Sequence, residues 1–421
     1  MSGERQGSAF VRAGRNAAHG HSEGPDPRIE PSFPEPSTVR HSRPRWREFA
    51  IEVLYRAGAV RLMERMARSL ELKSTRGGKW QQIRRVSAPR FSILCYHRVG
   101  TGGVPLYSQL PAKTFEAQIR YLRENYRIIS LDQLIAEMTN PVSLAPTVAV
   151  TFDDGYRGLF TEAYPILQAY GIPATIFLTI QSIETGQVAW YDRIFLALKV
   201  AIGSELVLDL EGPRRFSLVS PSLRMQSAVE IISSLRLLSP SRRRECCADL
   251  ESKVHLPQVE LQDRMLTWDQ IRAMHLGGVS FGAHTMSHPV ASRLSEDELT
   301  WEILESKRIL ELRLNSPVRH FAFPFGKREE CGNAAAILAK GGFHSASTTE
   351  WGLNSQGTDP FRLRRVQIGE MGTQAMFAFQ LSQLFLRDGA DESEEESNAS
   401  HKRKRAGFRQ VARSDGGRRD A

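Results

Sequence analysis

The chain has 421 residues, 41% of them hydrophobic and 24% charged, with a formal net charge of +9. Those proportions exclude wholesale disorder, and the length allows one large domain or up to three small ones. Four cysteines, two of them adjacent at Cys246 and Cys247, are too few and too irregular for a disulfide scaffold or a thiolate zinc site.

The charge is unevenly placed. Residues 46–90 carry eleven Lys/Arg against four Asp/Glu, whereas 91–387 balance at thirty of each. A neutral body argues against an extended phosphate-binding surface, so nucleic acid ranks last among expected partners. No 18-residue apolar run occurs, so no transmembrane segment is expected. The first 45 residues lack the apolar core of a signal peptide, and the expected location is cytoplasmic.

In chain order, 1–45 is rich in proline, serine and arginine and reads as a disordered tail. Residues 46–90 read as a basic amphipathic helix and linker. Trp46, Phe49, Val53, Ala57, Val60, Met63, Ala67 and Leu70 recur at helical spacing, with Arg47, Arg56, Arg61, Arg65 and Arg68 around them. That stripe fits packing on the main domain, and its arginines fit peripheral association of 46–70 with an anionic inner-membrane surface.

Strand-like runs follow at Phe91–Tyr96, Arg127–Ile129, Val148–Phe152, Thr175–Leu178, Val279–Gly282, His320–Phe323 and His344–Ser347. Helical patterns alternate with them at Thr114–Glu124, Leu131–Met138, Gly158–Tyr170, Asp269–Met274 and Ser295–Leu312. The alternation predicts an α/β domain over 91–370, a parallel sheet or barrel covered on both faces. Residues 184–264 break the rhythm and read as an insertion near the substrate entrance, with a helix from Trp190 to Val200, then a hairpin and a further helix. A terminal helix is expected at 371–387. Residues 388–421 read as a disordered charged tail, in which the tetrad Lys402–Arg405 is solvated rather than bound to nucleic acid.

Two segments carry the chemistry. Thr151-Phe152-Asp153-Asp154-Gly155-Tyr156 follows the apolar run Val148–Val150, and adjacent carboxylates at a strand's C-terminal end lie where α/β enzymes build sites. The two would repel unless a cation or hydrogen bonds separate their roles. Gly282-Ala283-His284-Thr285-Met286-Ser287-His288-Pro289 places two imidazoles four residues apart, able to converge on one ion with a carboxylate from the first segment. Zinc is the expected metal, with cobalt or nickel as alternatives. A third segment, Phe321–Gly326, brings no ionisable group and reads as a wall.

These segments, with Leu94-Cys95-Tyr96-His97-Arg98-Val99, Leu266-Thr267-Trp268, Phe321-Ala322-Phe323-Pro324-Phe325-Gly326 and Pro360–Val366, resemble the polysaccharide deacetylase family, the NodB-homology domain of carbohydrate esterase family 4. The resemblance covers about 91–370. It implies a deformed (β/α) barrel that removes acetyl groups from N-acetylhexosamine units of an oligo- or polysaccharide. On that pattern Asp153 is the general base, and Asp154, His284 and His288 bind the metal. The Tyr156 backbone N–H holds the developing oxyanion, and Pro324 and Phe325 form part of the groove. Two departures stand out. The arginine that the family often places two residues before the proline of the third motif is Ala322 here, leaving Arg364 or Arg365 to orient the base. The late Leu-x-His motif that supplies the acid is not evident, leaving His97 as the acid or as support for the metal site. The alternatives are an amidase on a small non-sugar amide and a non-catalytic carbohydrate-binding module that retains the metal.

Overall fold

The computed structural model describes residues 89–100, 109–257, 264–369 and 373–385. The expectations for the 1–45 tail, the basic segment 46–70 and the 388–421 tail fall outside them. In chain order the strands are β1 (Phe91–Tyr96), β2 (Arg127–Ile128), β3 (Thr147–Phe152), β4 (Ala174–Leu178), the hairpin β5 (Glu205–Asp209) and β6 (Pro213–Ser217), then β7 (Ser280–Ala283), β8 (His320–Ala322), β9 (Ser345–Ser347) and β10 (Val366–Gln367). The helices are α1 (Ala112–Asn125), α2 (Leu131–Thr139), α3 (Tyr164–Tyr170), α4 (Ile180–Thr185), α5 (Trp190–Val200), α6 (Pro221–Leu235), α7 (Pro240–Val254), α8 (Trp268–Leu276), α9 (Glu296–Leu314) and α10 (Ala334–Lys340). A further helix covers 374–385.

Every residue of β1, β3 and β4 is buried, which is how parallel strands covered on both faces read. The sheet runs β10-β1-β3-β4-β7-β8-β9, parallel throughout, with β2 also on β3. Its two ends meet in one segment. Leu363 donates to the Ala346 carbonyl of β9 at 3.0 Å, and three residues later Val366–Gln367 pairs with Leu94–Cys95 of β1. The expected deformed barrel is therefore a curled parallel sheet joined through 363–367.

Side chains alternate faces along a strand, so every second residue points into the curl. Phe91 and Ile93 of β1, Ala149 of β3, Phe177 of β4, Ala322 of β8 and Leu363 form one interior cluster, into which α2 packs Leu131, Leu134 and Met138. Stepping by two past this apolar floor leads to Cys95 and His97, to Asp153, and to Arg365. The sequence thus lays an apolar floor and then ionisable groups on the same inner face. Gly282 in β7 is part of the arrangement: a Cβ there would lie 2.5 Å from the Phe177 ring and 2.8 Å from the His320 carbonyl oxygen.

The helices cover the outer face, led by α9, which starts in a capping box between Ser295 and Glu298, a device that contributes about 1 kcal/mol. The single helix expected over Gly158–Tyr170 instead opens with a π-helical turn, Leu159–Ala163. Pro165 has no N–H to give and disrupts the regular ladder, and the wider turn absorbs the break. β10 and α10 were not foreseen: two residues carry no period, and the alanine-rich 334–339 offers no polar face to set one. The stretch that interrupts the sheet contains α5, the β5–β6 hairpin, α6 and α7, one helix more than expected. It packs chiefly within itself, α5 against α6 and α7, and meets the sheet domain at the site described next. No described helix is long and apolar enough to cross a membrane.

Candidate active site

At the end of β3 the chain turns sharply. Asp154 has φ 72° and Gly155 φ 87°, and the Gly155 N–H donates to the Asp153 carbonyl at 2.9 Å. Only glycine suits the second position, since a Cβ on Gly155 would lie 2.5 Å from Leu178 Cδ2. The turn divides the two carboxylates. Asp153 stays on the inner face with Arg365, and Asp154 swings toward the histidines.

After β7 the chain does not form a helix through His284–His288. Thr285 has φ 67° and His288 φ 55°, and the His288 N–H donates to Thr285 Oγ1 at 3.1 Å. The imidazoles nevertheless converge, with ring centroids 5.0 Å apart. His284 Nε2 lies 3.7 Å and His288 Nε2 3.5 Å from Asp154 Oδ1. Asp154, Thr285, His288 and Phe325 are four of the seven described non-glycine residues with positive φ. Strain collected in this way marks a site whose geometry the surroundings enforce.

The donor set fits a divalent metal ion. His284 Nδ1 lies 2.8 Å from the Ala322 carbonyl oxygen, to which its N–H donates, and this leaves Nε2 with its lone pair. Asp154 Oδ1 is buried with no hydrogen-bond partner, and the three ligand atoms lie within 4.8 Å of one another. Burial pushes Asp154 up to about 7, with the Asp153 and Asp192 carboxylates adding to the rise. Burial also lowers His284 and His288 below the usual histidine range. A carboxylate oxygen without a hydrogen-bond partner, buried beside two imidazoles that burial disfavours as cations, calls for a metal cation.

Asp153 is held quite differently. Arg365 Nη1 and Nη2 bind its two carboxylate oxygens at 2.7 and 2.8 Å, and Arg365 Nε donates to the Thr348 carbonyl at 2.8 Å. Both partners are buried, Arg365 completely. Burial would raise the Asp153 pKa, but the Arg365 guanidinium outweighs it and holds the carboxyl well below the usual carboxylate range. Of the two arginines considered from sequence, Arg365 therefore reaches Asp153 and Arg364 does not. Arg364 is exposed, its Cδ lies against Gly352, and its backbone pairs with Asn354, because the strand alternation that turns Arg365 inward turns Arg364 out.

His97 lies on the inner face with a ring nitrogen, Cys95 Sγ and an Asp153 oxygen all within 4.8 Å of one another. Burial lowers its pKa to about 4, with Asp153 opposing that and Arg365 adding to it, so the ring is neutral near pH 7. Cys95 Sγ donates to Asp153 Oδ2 at 3.4 Å, and burial keeps the thiol protonated. The N–H groups of Arg157 and Leu266 make the bonds that bridge Tyr156 and Met265, and the Tyr156 N–H takes no part in that ladder. Phe325 packs on His288 with centroids 5.0 Å apart, next to buried Pro324. Phe323 is core, stacked edge-on against Phe321, and Trp351 is exposed.

The inserted helix α5 supplies residues that the sequence motifs do not name. Trp190 Nε1 donates to the His288 carbonyl at 3.1 Å. Tyr191 packs on the His288 ring at 4.8 Å, and its hydroxyl hydrogen-bonds the Asp154 carboxylate. Asp192, fully buried, accepts from the Tyr156 hydroxyl at 2.8 Å and pairs with Arg98, whose guanidinium lies 4.0 Å over the Tyr156 ring. The one sequence signal was a carboxylate, Asp192, in the first turn of an otherwise apolar helix.

Buried carboxylate and imidazoles converging on one ion, beside an arginine-held carboxylate at the C-terminal end of a curled parallel sheet, define a metal-dependent hydrolase. The sequence profile of the polysaccharide deacetylase family matches residues 142–344. Residues 142–344 thus carry the sequence pattern of that family. It is 22% identical over 307 residues to the polysaccharide deacetylase-type protein YxkH of Bacillus subtilis (strain 168), covering 72% of this chain and 80% of that one. Among solved structures it is similar to the deacetylase PplD of Streptococcus pyogenes in complex with acetate, at 20% identity and TM-score 0.47 over 71% of this chain and 99% of that one. It is also similar to IcaB of Ammonifex degensii, at 19% identity and TM-score 0.46 over 71% and 98% of the two chains.

Proposed function

We propose that the protein removes N-acetyl groups from N-acetylhexosamine units of an oligo- or polysaccharide, with a divalent ion, zinc, held by Asp154, His284 and His288. The observation that carries the reading is the division of labour between the adjacent carboxylates: Asp154 faces two imidazole lone pairs, and Asp153 faces Arg365. When bound, the ion lowers the pKa of a water and polarises the amide carbonyl. Asp153, kept ionised and fixed in orientation by Arg365, takes the proton of the attacking water. The Tyr156 N–H donates to the oxygen that gains charge as the carbonyl becomes tetrahedral. His97, unprotonated in the resting site, receives the proton from Asp153 and passes it to the nitrogen as the C–N bond breaks. Water thus supplies both the oxygen of the released acetate and the proton of the freed amine.

Phe325 and Pro324 form one wall of the groove, and Trp190 and Tyr191 brace the metal ligands from the other side. The four cysteines are unpaired and buried, in keeping with a reducing, cytoplasmic setting. The experiment is acetate release from a panel of N-acetylated chitooligosaccharides and polysaccharides by the metal-loaded full-length protein. Release that disappears in Asp153→Asn, with chain-length preference, supports the reading. Turnover of small amides such as acetanilide with none from any sugar overturns the substrate class.

A further inference from the structure

Four arginines of the described chain are buried: Arg98, Arg236, Arg243 and Arg365. Three have a carboxylate partner, Asp192, Glu330 and Asp153 respectively. Arg243, on α7 and 3% exposed, has no ion pair among the described residues. Its guanidinium lies 4.9 Å over the Trp190 ring and donates one long bond, 3.4 Å, to the Ser287 carbonyl. The Glu302 carboxylate acts on it only at longer range, being engaged by the Met286 and Ser287 N–H groups and the Ser287 hydroxyl. Burial lowers Arg243 to about 10, which still leaves it charged at neutral pH. A buried cation with no counter-ion costs several kcal/mol, so something else must offset its presence.

Arg243 lines a cavity of about 240 Å³ together with Arg193, Arg244, Gln181, Gln187 and Ser287. No carboxylate belongs to the lining. Arg193 shares its charge with Glu251 through two hydrogen bonds of 2.6 and 2.5 Å, whereas Arg244 is exposed at the rim. The volume is below the roughly 300–1,000 Å³ of sites for drug-sized ligands. At about 30 Å³ per water it holds one compact oxyanion with its first waters. The cavity adjoins the metal-binding residues, because Trp190 stands between them, with Arg243 over its ring and its indole N–H on the His288 carbonyl.

We propose that this cavity is an oxyanion subsite that takes one phosphate or carboxylate group of a molecule bound beside the catalytic centre. Arg243 is its principal cation and Arg244 an auxiliary one. Planar guanidinium donors suit either group, and the polar side chains around them complete its hydrogen bonds. The subsite stands apart from the acetyl-sugar reading: it predicts where an anion binds, whatever amide is hydrolysed.

Calorimetric titration of zinc-loaded full-length protein with inorganic phosphate, and separately with glucuronate, tests it at constant ionic strength. Any anion binding at the metal is common to wild type and variants, so their difference isolates the cavity. Arg243→Met is expected to weaken the preferred anion at least tenfold and Arg244→Gln about threefold, and which titrant responds tells phosphate from carboxylate. Arg243→Met is also expected to melt no lower than wild type without anion, and to lose the phosphate- or glucuronate-dependent rise in Tm. Identical affinities in all three proteins overturn the proposal. So does an Arg243→Met protein that melts lower yet keeps the full anion-dependent rise, since Arg243 would then be structural. If Arg243→Met does not fold, the exposed Arg244→Gln decides alone: unchanged affinity overturns the proposal and a threefold loss supports it.

Discussion

Replacing Arg365 with methionine leaves the Asp153 carboxylate in a place where it is 2% exposed, without the two bonds of 2.7 and 2.8 Å that balance its charge. Removing one partner of a buried ion pair costs about 3–5 kcal/mol, most of it for the charge left behind. That makes a falsifiable cycle. Arg365→Met alone should lose about 3–5 kcal/mol in urea unfolding, whereas adding Asp153→Asn removes the stranded charge and should recover at least about 2 kcal/mol of it. The pH dependence has a definite sign. In the wild type the folded-state pKa of Asp153 is depressed, so its contribution to stability is present above the ordinary aspartate value of about 3.9 and is lost as pH falls toward the folded-state value. Without Arg365 the main opposition to burial is gone and that pKa rises, so the acid limb of the kcat/KM profile should move to higher pH. Lysine cannot reproduce the two-pronged bond, and Arg365→Lys should lose about a hundredfold in kcat even if it folds. If Arg365→Met keeps wild-type stability and an unshifted acid limb, the account of the base is wrong.

Other parts of the site give further tests. Asp192→Ala leaves Arg98 buried without its carboxylate partner and should destabilise the protein by about 3–5 kcal/mol in chemical denaturation. Trp190→Phe removes the indole bond to the His288 carbonyl, worth about 1 kcal/mol, and metal competition titration should show weaker binding with the fold retained. Gly155→Ala forces a Cβ to within 2.5 Å of Leu178 at a positive φ, and calorimetry should show destabilisation of about 1–3 kcal/mol. Chelation of the bound ion should lower the melting temperature of the wild type and leave that of His288→Ala unchanged.

The sheet was legible wherever its strands are buried on both faces: β1 matches the expected limits, and β3 and β4 differ by one residue. The site was legible where one strand end carries the whole signal, as in Asp153-Asp154-Gly155. Whatever depended on a distant segment was harder to see. Arg365 and Arg364 are indistinguishable until the inward period of 363–365 is known, and that period is set by pairing to β9 and β1 rather than by local composition. A helical turn would be one way to bring His284 and His288 together, but Thr285 and His288 adopt left-handed conformations instead, and the imidazoles meet all the same. Tyr191 and Asp192 went unseen as site residues because an insertion follows no family spacing, and only the folded chain brings α5 onto Asp154 and Tyr156.

The central claim is that the Asp154, His284 and His288 cluster holds the ion on which amide hydrolysis depends. Its most direct test measures metal content and acetate release together in wild type, Asp154→Ala and Asp153→Asn, each reconstituted with zinc. The account predicts one ion per chain and release in the wild type, neither in Asp154→Ala, and one ion without release in Asp153→Asn. Full acetate release by Asp154→Ala lacking bound metal would contradict it.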